Sequence, residues 1–93
     1  MIKTFSSKET EKLFSRQRSA ALPGDLYKAA LRKLLLLDAA ENIEDLRQPP
    51  GIRLEKSHGD RSGQYSIRIN DKWRICFRWS GSEALEVEIG DYH

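Results

Sequence analysis

Three arginines could form a cationic surface on one face of a predicted sheet. Arg68 lies in one strand-like run, and Arg74 and Arg78 lie in the next. Because side chains alternate between the faces of a strand, all three would share the face opposite the apolar residues. Planar guanidinium groups offer paired donors to phosphate oxygens, so this face could bind a nucleic-acid backbone. Cross-strand ion pairs with Glu86 and Glu88 would explain the same residues structurally.

The last three residues form a second candidate group. Asp91, Tyr92 and His93 directly follow a strand-like run. A carboxylate, a phenol and an imidazole can transfer protons and stack on a base. From residue types alone, a solvated tail is the simpler interpretation, because chain ends commonly fray.

A polar loop before the sheet supplies further candidates. His58 lies there with Lys56 and Arg61 nearby, and in that setting it is an ordinary surface histidine or a proton donor. The chain has two histidines and one cysteine, Cys76, without the spacing of metal ligands, so the sequence predicts no metal site. Cys76 itself is expected to be a small, partly buried residue of a strand.

Alternating polar and apolar residues predict the strands that carry these groups. A short strand is expected at Ile52–Glu55, and three longer ones follow from Gln64 onward, separated by turns at Asn70-Asp71 and at 80–82. The side chains predicted to face the core are Tyr65, Ile67 and Ile69, then Trp73, Ile75, Phe77 and Trp79, then Leu85, Val87 and Ile89. This pattern indicates an antiparallel meander with one buried face.

Helical patterns precede the strands. After a candidate edge strand at Ile2–Phe5, a capping box with Ser6 as N-cap predicts a helix ending at about Gln17. Pro23 suits the first turn of a second helix, and one more short turn is expected between residues 38 and 47. The second helix carries two adjacent apolar stripes: Leu26, Ala30 and Leu34, and Tyr27, Leu31 and Leu35.

The order of elements predicts an α+β fold, with N-terminal helices packed on one face of a curved antiparallel β-sheet. The 93 residues suffice for one domain, residues 1–93, and a hydrophobic content of 39% is typical of a globular chain. No apolar run is long enough to cross a membrane, and the first residues lack the apolar centre of a signal peptide. We therefore expect a cytoplasmic protein without a membrane partner.

Four segments together resemble a known family. They are GDRSGQYSIRINDKWRICFRW at 59–79, VEIGDYH at 87–93, MIKTF at 1–5 and LDAA at 37–40. They are similar to the HigB toxins, in the RelE-like branch of type II toxin–antitoxin systems. The resemblance implies the RelE-like toxin fold and an endoribonuclease that cleaves mRNA in the ribosomal A site. Because the sequence has no cluster of metal ligands, we expect the cleavage to be metal-independent and to need no cofactor. The resemblance also implies neutralisation by HigA, an antitoxin with a helix-turn-helix domain, and contact with operator DNA only through the antitoxin complex.

The resemblance implies that Arg74, Asp91, Tyr92 and His93 are active-site positions, and their chemistry suggests a role for each. Arg74 would stabilise charge on the phosphate, His93 and Asp91 would transfer protons, and Tyr92 would stack on or orient a base. His58 is a further candidate for proton transfer. The expected substrate-binding residues are Lys56, Arg61, Arg68 and Arg78.

The chain departs from the family pattern in the loop before the meander. Glu55 stands where some relatives have histidine, and Ser57-His58 stands where many have Leu-Lys. Two other functions remain open at this point. One is a ParE-like toxin that inhibits DNA gyrase on the same fold, and the other is an RNA- or protein-binding module without chemistry.

Overall fold

The computed structural model describes residues 1–17, 24–47, 52–56 and 63–91. Within these ranges the chain forms two α-helices, a short 3-10 helix and four strands: α1 (Lys8–Phe14), α2 (Gly24–Ala39), the 3-10 helix (Ile43–Arg47), β1 (Glu55–Lys56), β2 (Gln64–Arg68), β3 (Trp73–Ser80) and β4 (Glu83–Asp91). The strands pair antiparallel in the order β1-β2-β3-β4. The predicted α+β fold is confirmed. Within the same ranges, neither α-helix is long and apolar enough to span a membrane.

The core lies between the helices and one face of the sheet. The first predicted stripe of α2 is confirmed, because Leu26, Ala30 and Leu34 are all buried, as is Leu37 one turn further on. The second stripe lies at the margin of the core, and its last member, Leu35, is exposed. The sheet contributes Ile67, Ile75, Phe77 and Val87, each fully buried. The opposite face of the sheet therefore has no helix against it among these elements.

The first residues cover the outer edge of β4. Ile2 and Phe5 form isolated parallel bridges with Ala84 and Val87, so the predicted edge strand reduces to two bridges. The N-terminal ammonium group of Met1 donates hydrogen bonds to two backbone carbonyls, that of Ala40 just after α2 and that of Ser82 in the turn before β4. The backbone groups of Ala84 and Val87 at this edge are thus already paired.

The N-cap of α1 is one residue later than predicted. Ser7 has an extended backbone, and its side chain accepts a hydrogen bond of 3.3 Å from the backbone N–H of Thr10. The Ser6 hydroxyl lies at β4 instead, where it donates to the carbonyl of Glu86. A contact distant in sequence therefore decides which of two adjacent serines caps the helix.

The end of α1 also differs from the prediction. The helix ends at Phe14, three residues before Gln17, because Arg16 adopts a left-handed backbone with φ of 63°. The N–H groups of Arg16 and Gln17 then donate back to Leu13 and Lys12, which closes the helix in a Schellman motif. The predicted start of α2 at Pro23 lies outside the described residues.

A β-bulge corrects the prediction for β4. Ala84 is fully buried, whereas Leu85 lies opposite Arg78 and so shares the face of the arginines. Between Cys76 and Arg78 the register shifts, with two residues of β4 opposite one of β3, and Glu86 takes a positive φ of 53°. The extra residue restores the predicted inward direction for the apolar residues beyond it.

Candidate active site

An open pocket of about 290 Å³ lies on the face of the sheet away from the helices. Its lining residues are Arg53, Glu55, Arg68, Asn70, Asp71, Lys72 and Arg74. Four of them are cationic and two are carboxylates, so the pocket has a net positive charge. The predicted pair Arg68 and Arg74 is therefore brought together here, and the two residues are direct cross-strand partners.

Arg74 is the most constrained of these cations. Its Nε donates to the hydroxyl of Ser66 at 2.9 Å, and its Nη2 donates to the carbonyl oxygens of Arg53 at 2.7 Å and Ser66 at 3.3 Å. Only 16% of its side chain is exposed. These bonds hold the guanidinium plane in one orientation at the wall of the pocket.

The local backbone explains how the acceptors of Arg74 reach it. Ser66 in β2 lies opposite Cys76 in β3. Cys76 is two residues after Arg74 and therefore points to the same face, so Ser66 shares this face with Arg74. Arg53 has a φ of 45°, which is uncommon for a residue other than glycine. Its carbonyl oxygen accepts from Arg74, while the carbonyl of the preceding Ile52 accepts from the backbone of Arg68. This left-handed residue also delays regular pairing, so β1 begins at Glu55 rather than Ile52 as predicted.

The turn between β2 and β3 forms the rim of the pocket. As predicted, Asn70 and Asp71 make this turn, and Asn70 Oδ1 accepts from the backbone N–H groups of Lys72 and Trp73 at 2.9 and 2.8 Å. Asp71 forms an ion pair with Arg68. The Lys72 Nζ lies 5.8 Å from the centre of the Trp73 ring.

Glu55 is the second carboxylate of the pocket. Its Oε2 lies 3.7 Å from Arg74 Nη2, and 65% of its side chain is exposed. Its cross-strand partner is Ser66, which places Glu55 on the face of the sheet that carries Arg74.

Lys56 and Arg78 lie outside the pocket lining. Adjacent residues of a strand point to opposite faces, so Lys56 points away from the face that carries Glu55. Its cross-strand partner is Tyr65, and its Nζ lies 5.9 Å from the centre of the Tyr65 ring. Arg78 Nε lies 2.7 Å from Glu86 Oε2, so the predicted cross-strand ion pair is confirmed for this arginine. Neither residue is brought next to Arg74.

Of the predicted C-terminal group Asp91, Tyr92 and His93, the structure describes only Asp91. Asp91 ends β4, and its backbone is paired with Trp73, the neighbour of Arg74 in β3. The candidate residues Tyr92, His93, His58 and Arg61 lie outside the described residues.

Sequence reasoning missed five of the seven lining residues as members of one site, and it predicted two of them, Asn70 and Asp71, only as a turn. Glu55 was visible only as a departure from the family pattern, and Lys72 only as part of a polar turn. The contribution of Arg53 depends on its left-handed backbone, for which its residue type gives no signal.

The pocket can bind an anion and exchange a proton. Fixed guanidinium donors stabilise negative charge that develops on a phosphate, and an exposed carboxylate can accept a proton. Among the described residues, no group of three or more His, Cys, Asp or Glu side chains could hold a metal ion. Cys76 is buried, as predicted, on the same face of β3 as Arg74.

Solved structures define the class of protein to which this fold belongs. YafQ from E. coli superposes with a TM-score of 0.59 at 12% identity, covering 98% of this chain and 91% of YafQ. The YoeB/ParE toxin from Agrobacterium tumefaciens gives a TM-score of 0.55 at 21% identity, covering 99% and 96%. The fold is that of the RelE-like toxins.

Sequence comparison identifies the family within that class. The family model described as "RelE-like toxin of type II toxin-antitoxin system HigB" matches residues 3–93, and the chain therefore belongs to the HigB-like toxins. It is 40% identical over 73 residues to Toxin HigB-1 of Vibrio cholerae, covering 78% of this chain and 77% of that protein. It is 30% identical to Endoribonuclease HigB of Proteus vulgaris over 93 residues, the full length of both. The predicted resemblance is confirmed, and membership of a toxin–antitoxin system implies an antitoxin as partner.

Proposed function

We propose that this chain is an endoribonuclease that cleaves mRNA in the ribosomal A site. The observation that carries the proposal is the fixed Arg74 guanidinium at the wall of a cationic pocket. The full-length relative from Proteus vulgaris, named as an endoribonuclease, supports the same activity. A HigA-like antitoxin with a helix-turn-helix domain would neutralise the toxin, and operator DNA would be bound only through their complex.

The proposed reaction is attack of a ribose 2′-hydroxyl on the adjacent phosphate. Arg74 would stabilise the charge on the phosphorane, because the bonds of Nε and Nη2 to Ser66 and Arg53 hold the cationic guanidinium, including Nη1, in place before the substrate binds. Arg68, in the same pocket, would bind a phosphate of the RNA backbone. A metal ion is not required in this scheme, since arginine supplies the positive charge.

The C-terminal residues would supply proton transfer and base contacts. Asp91 ends β4 opposite Trp73, the residue that precedes Arg74. Tyr92 and His93 follow Asp91 directly in the chain, and consecutive Cα atoms are about 3.8 Å apart. Their covalent connection therefore keeps them within a short distance of Trp73. An imidazole at position 93 suits proton donation to the leaving 5′-oxygen near neutral pH. Tyr92 would stack on or orient a base.

The remaining assignments rest on the charge of the residues and their place in the loop or on the open face of the sheet. His58 is proposed as a further proton donor, and Lys56, Arg61 and Arg78 are proposed as contacts to the RNA substrate. For Arg78 such a contact would have to compete with its ion pair to Glu86.

Mapping of mRNA 5′ ends after induction tests the proposed function. New ends should appear within translated codons for the wild-type chain, and they should disappear for Arg74→Ala and for His93→Ala because charge stabilisation or proton transfer is lost. Co-expression of a HigA-like antitoxin should also abolish them. Arg47→Ala is the matched control, since Arg47 forms an ion pair with Glu44 in the 3-10 helix and does not line the pocket.

Two results would contradict this function. Cleavage of naked mRNA at the same rate without ribosomes would exclude ribosome dependence. Inhibition of DNA gyrase with intact mRNA would identify the chain as a ParE-like toxin instead.

A further inference from the structure

Glu86 lies against an arginine on the open face of the sheet, the face that also carries the pocket. Resting on the proposed endoribonuclease function, we propose that Glu86 determines specificity against free RNA. Its carboxylate occupies Arg78, so the chain binds single-stranded RNA weakly in solution and binds it well only when a ribosome presents it. The ligand that Glu86 excludes is the phosphate backbone of free RNA.

Arg78 lies in line with Arg74 along β3. The two residues are four positions apart, so both point to the open face, and their Cα atoms are separated by about 13 Å. An extended RNA strand whose phosphate binds at Arg74 therefore passes Arg78 within a few nucleotides. The side chain of Arg78 is 44% exposed, so a phosphate of that strand can reach its guanidinium.

Glu86 occupies the position that such a phosphate would take. Its Oε2 lies 2.7 Å from Arg78 Nε, the separation of a charge-assisted hydrogen bond. A phosphate that binds the same edge of the guanidinium must displace the carboxylate, and it then lies close to a like charge. Because both side chains are about half exposed, the ion pair adds little to stability and can open when further contacts hold the RNA.

The bulge in β4 places this carboxylate on the open face. Ala84 is fully buried, so unbroken alternation would turn position 86 toward the core. Glu86 instead has a φ of 53°, and its side chain reaches Arg78. The N–H of Glu86 donates to Thr4 Oγ1 at 2.8 Å, and its carbonyl accepts from the Ser6 hydroxyl at 3.1 Å. Residues distant in the chain therefore fix the backbone that directs this carboxylate.

The two predicted arginines of the pocket also have carboxylates beside them. Asp71 pairs with Arg68, and Glu55 lies 3.7 Å from Arg74. These carboxylates line the pocket, whereas Glu86 does not. A substitution of Glu86 therefore tests the effect of a shielding carboxylate on RNA binding while the lining of the pocket stays the same.

Binding of a single-stranded RNA oligonucleotide without ribosomes tests this role. Glu86→Gln keeps the size of the side chain and releases Arg78 from the carboxylate, so affinity at physiological salt should rise about 3- to 10-fold. One more phosphate would then be neutralised, so the plot of log affinity against log salt concentration should become steeper by about 0.7. Glu44→Gln is the matched control, because it adds the same charge at Arg47 in the 3-10 helix, and it should keep the wild-type affinity and slope.

Two further variants locate the effect at Arg78. Adding Arg78→Gln to Glu86→Gln should remove the whole gain in affinity, whereas Arg78→Gln alone should change it little because Glu86 already occupies that arginine. Glu86→Gly is an independent test, since glycine adopts a positive φ without strain, and it should bind RNA as tightly as Glu86→Gln.

Competition on ribosomes programmed with mRNA connects RNA binding to cleavage. Added single-stranded RNA should inhibit cleavage by Glu86→Gln at a lower concentration than it inhibits the wild-type chain, by the same factor as the gain in affinity. The reason is that free RNA then competes with the ribosome for the open face.

The outcomes distinguish this proposal from the proposed function. Wild-type RNA affinity and salt slope in both Glu86→Gln and Glu86→Gly would overturn the role of Glu86 alone, as would a gain that persists after Arg78→Gln or that Glu44→Gln reproduces. A wild-type chain that binds programmed ribosomes without cutting mRNA would overturn the endoribonuclease function. Tighter binding of free RNA by Glu86→Gln would still support the exclusion of free RNA in that case.

Discussion

At the scale of single residues, the site depends on side chains whose partners fix them before a substrate arrives. Arg68 and Arg74 are direct neighbours across two strands, which places two like charges together. Asp71 and Glu55 each lie beside one of them. This arrangement keeps two cations in a small pocket without substrate, and the net positive charge that remains favours phosphate.

Ser66→Ala tests whether the orientation of Arg74 matters. Loss of the hydroxyl removes the acceptor for Arg74 Nε, and we expect kcat to fall about 10- to 100-fold with little change in KM, because the phosphate contact is misplaced rather than lost. Cleavage kinetics on programmed ribosomes measure both constants.

The control for this variant is Ser82→Ala, at an exposed turn between β3 and β4. It should keep wild-type kinetics. If Ser66→Ala raises KM and leaves kcat unchanged, Ser66 contributes to substrate binding and does not position Arg74.

At the scale of elements, α2 shows how a run of identical residues divides between core and surface. Leu34 and Leu37 are fully buried, whereas Leu35 and Leu36 between them are exposed by 41% and 37%. A helix turns by about 100° per residue, so only every third or fourth leucine faces the sheet. The amphipathic pattern of the sequence predicted Leu34 as a buried residue, but it also included the exposed Leu35 and did not single out the buried Leu37.

Alanine substitutions at adjacent leucines test this division. Leu34→Ala leaves a cavity under α2 and should lower the free energy of unfolding by about 2–5 kcal/mol. Leu35→Ala should change it by about 0.5 kcal/mol or less. Thermal or denaturant unfolding measures both, and equal losses would contradict the orientation of α2.

At the scale of the whole molecule, the core and the candidate site lie on opposite faces of one sheet. The core residues are buried between this sheet and the helices, and the pocket lies on the face that the helices leave open. The edge of β4 is covered by the first residues of the chain. The fold can therefore be stable while the open face carries residues chosen for chemistry.

Removal of the last three residues should separate stability from activity. A chain ending at Gly90 keeps the buried residues of β4, Ala84 and Val87, so its unfolding temperature should stay close to that of the full chain. It lacks Asp91, Tyr92 and His93, so cleavage of mRNA should be lost. Full activity of the shortened chain would contradict the assignment of proton transfer to this end.

The amino-acid sequence by itself determined the features that depend on local periodicity. Alternation along β2 and β3 predicted the faces of Arg68, Arg74 and Arg78, and the spacing of leucines predicted the buried side of α2. The direction of a side chain along a regular strand or helix follows from the backbone geometry of its neighbours, so these features can be read from the sequence alone.

Only the tertiary structure decided how the elements meet. The bulge at Glu86 turns Leu85 away from the core, and the left-handed Arg53 presents its carbonyl to Arg74. Glu55 joins the pocket because β1 pairs with β2 in a register that places it opposite Ser66. Each of these features depends on contacts between residues distant along the chain, and local residue types carry little information about such contacts.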